Sequence, residues 1–258
     1  MKTLILYSLR KSTESVLFGL IFFSFVFMPD NFKSQQKQFA RVKTAYTEKE
    51  KLVKELFSSK GIELSSATIF IRAFKKEAQL EVWGKSEKYE KYQLIKTYSI
   101  CSSSGELGPK RKQGDGQVPE GFYHIDRFNP YSNFYLSLGV NYPNASDKIL
   151  GNKGNLGGDI FIHGNCVTIG CMPLTDDKIK EVYLMAVEAK SNGQTKIPVH
   201  IFPCRMDENG MKYLEKEFKT DVKLVPFWKN IQKGYEHFEN DKTLPTISVL
   251  NNGEYSIR

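Results

Sequence analysis

From Thr68 onward the apolar and polar positions alternate with a period of two. TIFIRAF (68–74), QLEVWG (79–84) and YQLIKTYSI (92–100) read as strands, with Lys75-Lys76-Glu77-Ala78 turning the chain between the first two. GFYHID (121–126), NFYLSLG (133–139), GDIFIH (158–163) and IPVHIF (197–202) continue the series. Between the third and fourth strands lies a long loop, Ser102 to Gly121, rich in Gly and Pro. Once within this run the period changes to 3.6. Ile179, Val182, Tyr183, Ala186 and Val187 share one helical face. A hydroxyl and two carboxylates, Thr175-Asp176-Asp177, suit the start of that helix, and Gly193 stops it. The pattern predicts a mainly β (α+β) domain over 67–207 with helical additions on both sides.

Residues 31–66 are polar and helical, with a narrow stripe through Leu52 and Leu56, and predict a lead-in or stalk ended by Gly61. Beyond Arg205, the 208–258 extension predicts two short helices, near 210–218 and 226–240. It closes with a hairpin, ISVLNNGEYSI, turning at Asn251-Asn252-Gly253.

Residues 1–30 differ from everything after them. Lys2, Arg10 and Lys11 precede an uncharged run, Val16 to Met28, that ends at Pro29-Asp30. A run this short fits a signal segment better than a full span of ~20 residues, yet bulky Phe25-Val26-Phe27-Met28 lacks a small-x-small cleavage pattern. A cleaved signal peptide and an uncleaved membrane anchor are both open. Either places the rest of the chain outside the cytoplasmic membrane, in the periplasm or cell envelope.

Composition narrows the partners. Hydrophobic residues make up 40% and charged residues 26%, which excludes a long disordered chain, collagen and a multi-span membrane protein. The net charge is +8. The basic residues are mostly scattered lysines, with no arginine-rich block or aromatic–basic repeat, so no nucleic acid is expected as a partner. Four cysteines, Cys101, Cys166, Cys171 and Cys204, are too few for a disulfide scaffold but allow two bridges. Cys166 is open to pairing with Cys101 or Cys204, or to simple packing.

The chemistry lies in 158–177. His163 ends an apolar strand, Gly164 lets the chain reverse, and Thr168, Gly170 and Cys171 lie on the return. One reversal within eight residues can bring an imidazole to a thiol. A thiol with pKa ~8.5 is mostly protonated at neutral pH, and a neighbouring imidazolium would lower that value by units. Glycine before the nucleophile permits close backbone approach, so that amides can face an oxyanion. Asp159 shares the strand face with His163 but stands four residues, ~13 Å, away and is not expected to orient it. His124 and His237 are expected to be structural or exposed.

The stretch resembles the L,D-transpeptidase (YkuD-type) catalytic domain, in which a His-Gly is joined to a downstream Ser/Thr-x-Gly-Cys. Gly108-Pro109-Lys110, Gly114-Asp115 and Pro119-Glu120-Gly121-Phe122-Tyr123 resemble that family's upstream segment. The compressed His163-Gly164-x-Cys166-x-Thr168-x-Gly170-Cys171 and the tail Phe227-Trp228-x-Asn230…Gly234-Tyr235 are most similar to its YafK-like subgroup. The resemblance implies a curved mixed β-sheet or sandwich with one capping helix. It implies Cys171 as nucleophile and His163 as proton donor and acceptor, with no cofactor and no metal. Gly170 and Cys171 would supply oxyanion amides, with Thr168 and Gly164 supporting the turn. The implied partners are peptidoglycan stem peptides and carbapenem-type inhibitors, with membrane contact only through the N-terminal segment. Met172-Pro173 stand where most family members carry an Arg soon after the nucleophile.

Three alternatives remain beside transpeptidation. The same thiol chemistry serves a murein L,D-endopeptidase or amidase that cuts a stem-peptide or protein–peptidoglycan linkage. His163, Cys166, Cys171, His200 and Cys204 could together bind zinc, although the short Cys-x₂-Cys knuckle is missing. A non-catalytic wall-binding module is the third, against which the paired Cys171 and His163 argue.

Overall fold

The structure, a computed structural model, describes residues 32–86 and 88–258. The apolar run 16–28 lies outside them. Among the described residues no helix is long and apolar enough to cross a membrane.

Two helices open the described residues, α1 (Phe32–Gln36) and α2 (Ala40–Ser58). Five strands follow: β1 (Thr68–Phe74), β2 (Gln79–Lys85), β3 (Gln93–Ser99), β4 (Gly121–Asn129) and β5 (Ser137–Val140). Then come α3 (Ala145–Leu150), β6 (Ile160–His163), the two-residue β7 (Met172–Pro173), α4 (Asp176–Ser191) and β8 (Ile197–Phe202). The chain ends with α5 (Glu208–Glu217), α6 (Leu224–Asp241) and the hairpin β9 (Ile247–Val249) and β10 (Tyr255–Ile257).

The first eight strands form one mixed sheet in the order β3-β2-β1-β8-β4-β5-β6-β7, curled into a half-barrel. β1 and β8, and β6 and β7, run parallel. The other neighbours are antiparallel. The alternation in TIFIRAF explains why the sheet has two buried faces. Ile69, Ile71 and Ala73 face a core shared with α2 and α4. Phe70 and Phe74 face aromatic clusters completed by α6 and the C-terminal segment. Arg72, buried on the second face, is held by Glu81 (2.6 Å) and Glu239 (2.7 Å) and lies over the Trp83 ring. A buried guanidinium needs such partners.

α4 starts where expected, with the Thr175 side chain accepting from the Lys178 amide, and every residue of its 179–189 stretch except Lys180 is buried. At ~1.5–3 kcal/mol for each large apolar side chain buried, this helix anchors the first core. α2 is no projecting stalk. Val42, Ala45, Tyr46, Val53 and Phe57 are buried, whereas Leu52 and Leu56 only flank that face. Polar side chains fix α1 and α2 to α4: Tyr46 donates to Glu188 (2.8 Å) and Tyr183 to Gln36 (2.7 Å). Two strands begin later than their alternation suggests. Tyr135 and Asp159 have left-handed backbones (φ 69° and 55°), and regular pairing starts only after them.

Candidate active site

β6 and β7 position the two residues of the predicted pair. Their parallel ladder matches Ile162 with Met172 and His163 with Pro173. Continued by one residue, that register sets Cys171 beside Phe161, on the face His163 also occupies two residues further on. Lateral spacing of ~4.8 Å and a two-residue advance of ~6.6 Å put the two Cα atoms roughly 8 Å apart. That distance lets an imidazole reach towards a thiol.

The loop between them is held at several points. The Leu174 amide donates to His163 O (2.7 Å) and the Gly164 amide to Leu136 O (3.1 Å). Asp176, in the first turn of α4, accepts from the Asn165 amide (2.8 Å). Gly164 is required here, since a Cβ would come within 2.6 Å of Asp176 Oδ1 and 2.8 Å of Phe134 O. The Cys101–Cys166 disulfide ties the same loop to the end of β3. Of the pairings open from the sequence, this is the one formed. Cys171 and Cys204 are free thiols.

His163 is buried against the Phe134 ring (centroids 4.6 Å apart). Its Nδ1 donates to Gly164 O, which leaves Nε2 as the acceptor nitrogen. Burial holds the imidazole below its ordinary range, opposed by that carbonyl. Burial also pushes the Cys171 thiol up. A hydrogen bond from the Phe161 backbone and the charge of Lys110 act the other way, while Asp159 adds to the rise. Low dielectric disfavours both charged forms. Both shifts thus run against the thiolate–imidazolium pair expected from the sequence.

The oxyanion expectation for Gly170 and Cys171 also needs correction. Their amides both donate to Thr168 Oγ1 (3.1 and 2.8 Å), and that hydroxyl donates to Cys171 O (2.8 Å). A hydroxyl two and three residues upstream in a tight turn captures both donors. Thr168 thus shapes the backbone at Cys171, and the two amides are not free. Gly170 (φ 135°) leads into Cys171 where a Cβ would stand 3.0 Å from Gln117 O. Asp159 presents its backbone carbonyl 3.5 Å from Cys171 Sγ, while its carboxylate pairs with Arg127.

A cavity of about 240 Å³ opens at Cys171. Its walls come from the β1–β2 turn, the 102–107 loop, Val118, Met172 and Tyr213 of α5. His163 is not among the residues that line it. Two buried ion pairs shape the loop above. Lys75 pairs with Glu120 (3.0 Å), which also accepts from Trp228 Nε1 and the Gly108 amide (both 2.7 Å). Lys110 pairs with Asp115 (2.6 Å), which gathers the amides of Arg111, Lys112 and Gln117. The sequence carried Lys110, Asp115 and Glu120 only as motif letters. The roles of Lys75 and Trp228, distant along the chain, left no local signal.

The zinc alternative fails on geometry. Cys166 is in the disulfide, Cys204 lies in the core beneath α5, and His200 sits between the rings of Phe70 and Phe122. His124 is half-buried and His237 is near Asp241 on α6.

Comparison with known proteins follows the same lines. The profile of the L,D-transpeptidase catalytic domain family (YkuD) matches residues 69–201. YafK of Escherichia coli (strain K12) is 37% identical over 198 residues, covering 76% of each chain. Looser likenesses exist among solved structures. The helical cell shape determining protein Pgp2 from Campylobacter jejuni aligns at 23% identity and a TM-score of 0.41, over 53% of this chain and 48% of that one. The present chain thus spans about half the length of that protein. Mycobacterium tuberculosis L,D-transpeptidase 1 aligns at 14% identity and a TM-score of 0.30, over 53% and 62%. Neither structural likeness is close enough to carry an argument. The family match, spanning just over half of the 258 residues, and the YafK identity suffice: the chain belongs to the L,D-transpeptidase catalytic domain family.

Proposed function

We propose that this protein transfers acyl groups of peptidoglycan stem peptides through a thioester on Cys171, acting in the cell envelope. The observation that supports this most directly is the β6–β7 ladder, which sets Cys171 and His163 on one face of adjacent strands with a cavity at the sulfur. His163 Nε2 takes the thiol proton as Sγ bonds to the carbonyl carbon at the L-centre of a diamino acid. The C–N bond to the following D-amino acid then breaks, and the imidazolium returns the proton to the departing amine. A second amine, or water, attacks the thioester and frees the sulfur. Because burial disfavours both charged forms, His163 acts as a general base during attack rather than as the partner of a standing thiolate.

The test is mass spectrometry of defined muropeptides incubated with the protein. Cross-linked products mark an amine acceptor and trimmed products mark water, the hydrolase reading. Cys171→Ala should abolish both while the protein stays folded, and near-native turnover in that variant would overturn the thiol mechanism. A carbapenem should add one drug mass to the wild type and none to Cys171→Ala.

A further inference from the structure

The Cys171 cavity carries charge that the proposed chemistry does not use. Three residues of charged type line it: Lys75, Lys76 and Glu106. Lys75 is fully engaged, donating to Gly108 O (2.7 Å) and Val118 O (3.1 Å) and pairing with Glu120 (3.0 Å). Lys76 and Glu106 are both exposed and, among the described residues, neither forms an ion pair with any other or with each other. The Lys76 ammonium instead lies over the ring of Tyr213, 4.7 Å from its centroid. Cation–π contact restricts a long, flexible side chain to the cavity wall and leaves its N–H donors to a ligand. Tyr213 belongs to α5, beyond the 69–201 family match, so the C-terminal extension supplies part of this site.

The cavity is smaller than the ~300–1,000 Å³ of a drug-sized ligand pocket. It suits the end of one residue rather than a whole peptide. One cation and one carboxylate, neither in an ion pair among the described residues and both belonging to residues that line a volume of that size beside Cys171, match a zwitterion. Resting on the acyl-transfer reading, we propose that Lys76, steadied by Tyr213, and Glu106 form a specificity pocket for the distal end of the donor diamino acid, where that end is an α-amino acid zwitterion. Lys76 takes the carboxylate and Glu106 the ammonium. Lys76 thereby supplies the carboxylate-binding cation that Met172-Pro173 do not.

The experiment uses Cys171→Ala protein, so that binding is read without turnover. Calorimetry compares two disaccharide tetrapeptides whose third residue is diaminopimelate, with its distal carboxyl either free or amidated. The free acid should bind about tenfold or more tightly than the amide. Adding Lys76→Met should erase that difference by weakening the acid alone, Lys76→Arg should keep it, and Glu106→Gln should weaken both ligands. Equal binding of acid and amide, an equal loss of both with Lys76→Met, or no binding of either overturns the pocket. Turnover by the wild-type protein is scored separately. Muropeptide processing that depends on Cys171 but shows no preference for the free acid keeps the thioester reading and removes this one.

Discussion

Removing the Cys101–Cys166 disulfide is the perturbation whose size the structure sets most directly. The bridge spans a sequence separation of 65 residues. Closing a loop of that length removes roughly 14–15 cal/mol/K of chain entropy from the unfolded state, or about 4 kcal/mol at 25 °C. Cys166→Ser should therefore lower the unfolding free energy by about 4 kcal/mol, which for a chain of this size is roughly 8–16 °C in Tm. The loss has a local meaning as well. Cys101 also donates its amide to Pro173 O (3.0 Å), so the bridge and that bond pin the 164–171 loop along β7. Without the bridge that loop depends on a two-residue ladder, the Thr168 turn and the Asp176 cap. Urea unfolding followed by circular dichroism is the assay. The m-value should rise, because the unfolded chain loses a cross-link and expands. Thiol titration of unfolded protein should count two groups before reduction, from Cys171 and Cys204, and four after it. A destabilisation below ~1 kcal/mol with the two-thiol count intact would refute the loop-entropy argument. A count of four before reduction would refute the bridge itself.

Three further outcomes are expected. Thr168→Val removes the acceptor of two amides beside the nucleophile, which should cost about 1–3 kcal/mol in stability and a larger share of turnover, while Thr168→Ser keeps both; a fully active valine variant would show that the turn does not need the hydroxyl. Burial lowers the His200 pKa to about 3, against ~6.5 unfolded; protons then bind the unfolded chain preferentially, so stability is fully present above pH ~6.5 and is lost by up to ~1.4 kcal/mol per unit as pH falls towards about 3, a slope that His200→Phe should flatten in urea titrations at pH 7 and 5. With His163 held below its ordinary value and Cys171 above its own, kcat/KM on muropeptides should keep its acid limb below pH ~6.5 and iodoacetamide should alkylate Cys171 more slowly at pH 7 than a free thiol would react; fast alkylation at neutral pH would mean a standing thiolate.

Where local pattern and chain order sufficed, the sequence was enough. The period-two runs named most strands of the sheet, and Thr175 and Gly193 bounded α4, because alternation and capping act within a few residues. Cys171 and His163 were legible as a candidate pair because one short reversal joins the two. Register, burial and long-range pairing were decided only by the tertiary structure. Polar composition hid the fact that α2 covers the first core, since a helix with eight of its nineteen positions charged still presents Val42, Ala45, Val53 and Phe57 to that core. The choice of Cys101 for Cys166 rests on β3 ending beside β7, which lie at opposite ends of the strand order and meet because the sheet curls. Desolvation disfavours the charged forms of both side chains, and Thr168 claims the amides of Gly170 and Cys171 through geometry rather than residue type. Lys76 and Tyr213, 137 positions apart, meet at one cavity only because the β1–β2 turn and α5 fold against the same edge of it. Spacing along a chain reports what is near in sequence, whereas a site assembled from distant segments is fixed by packing.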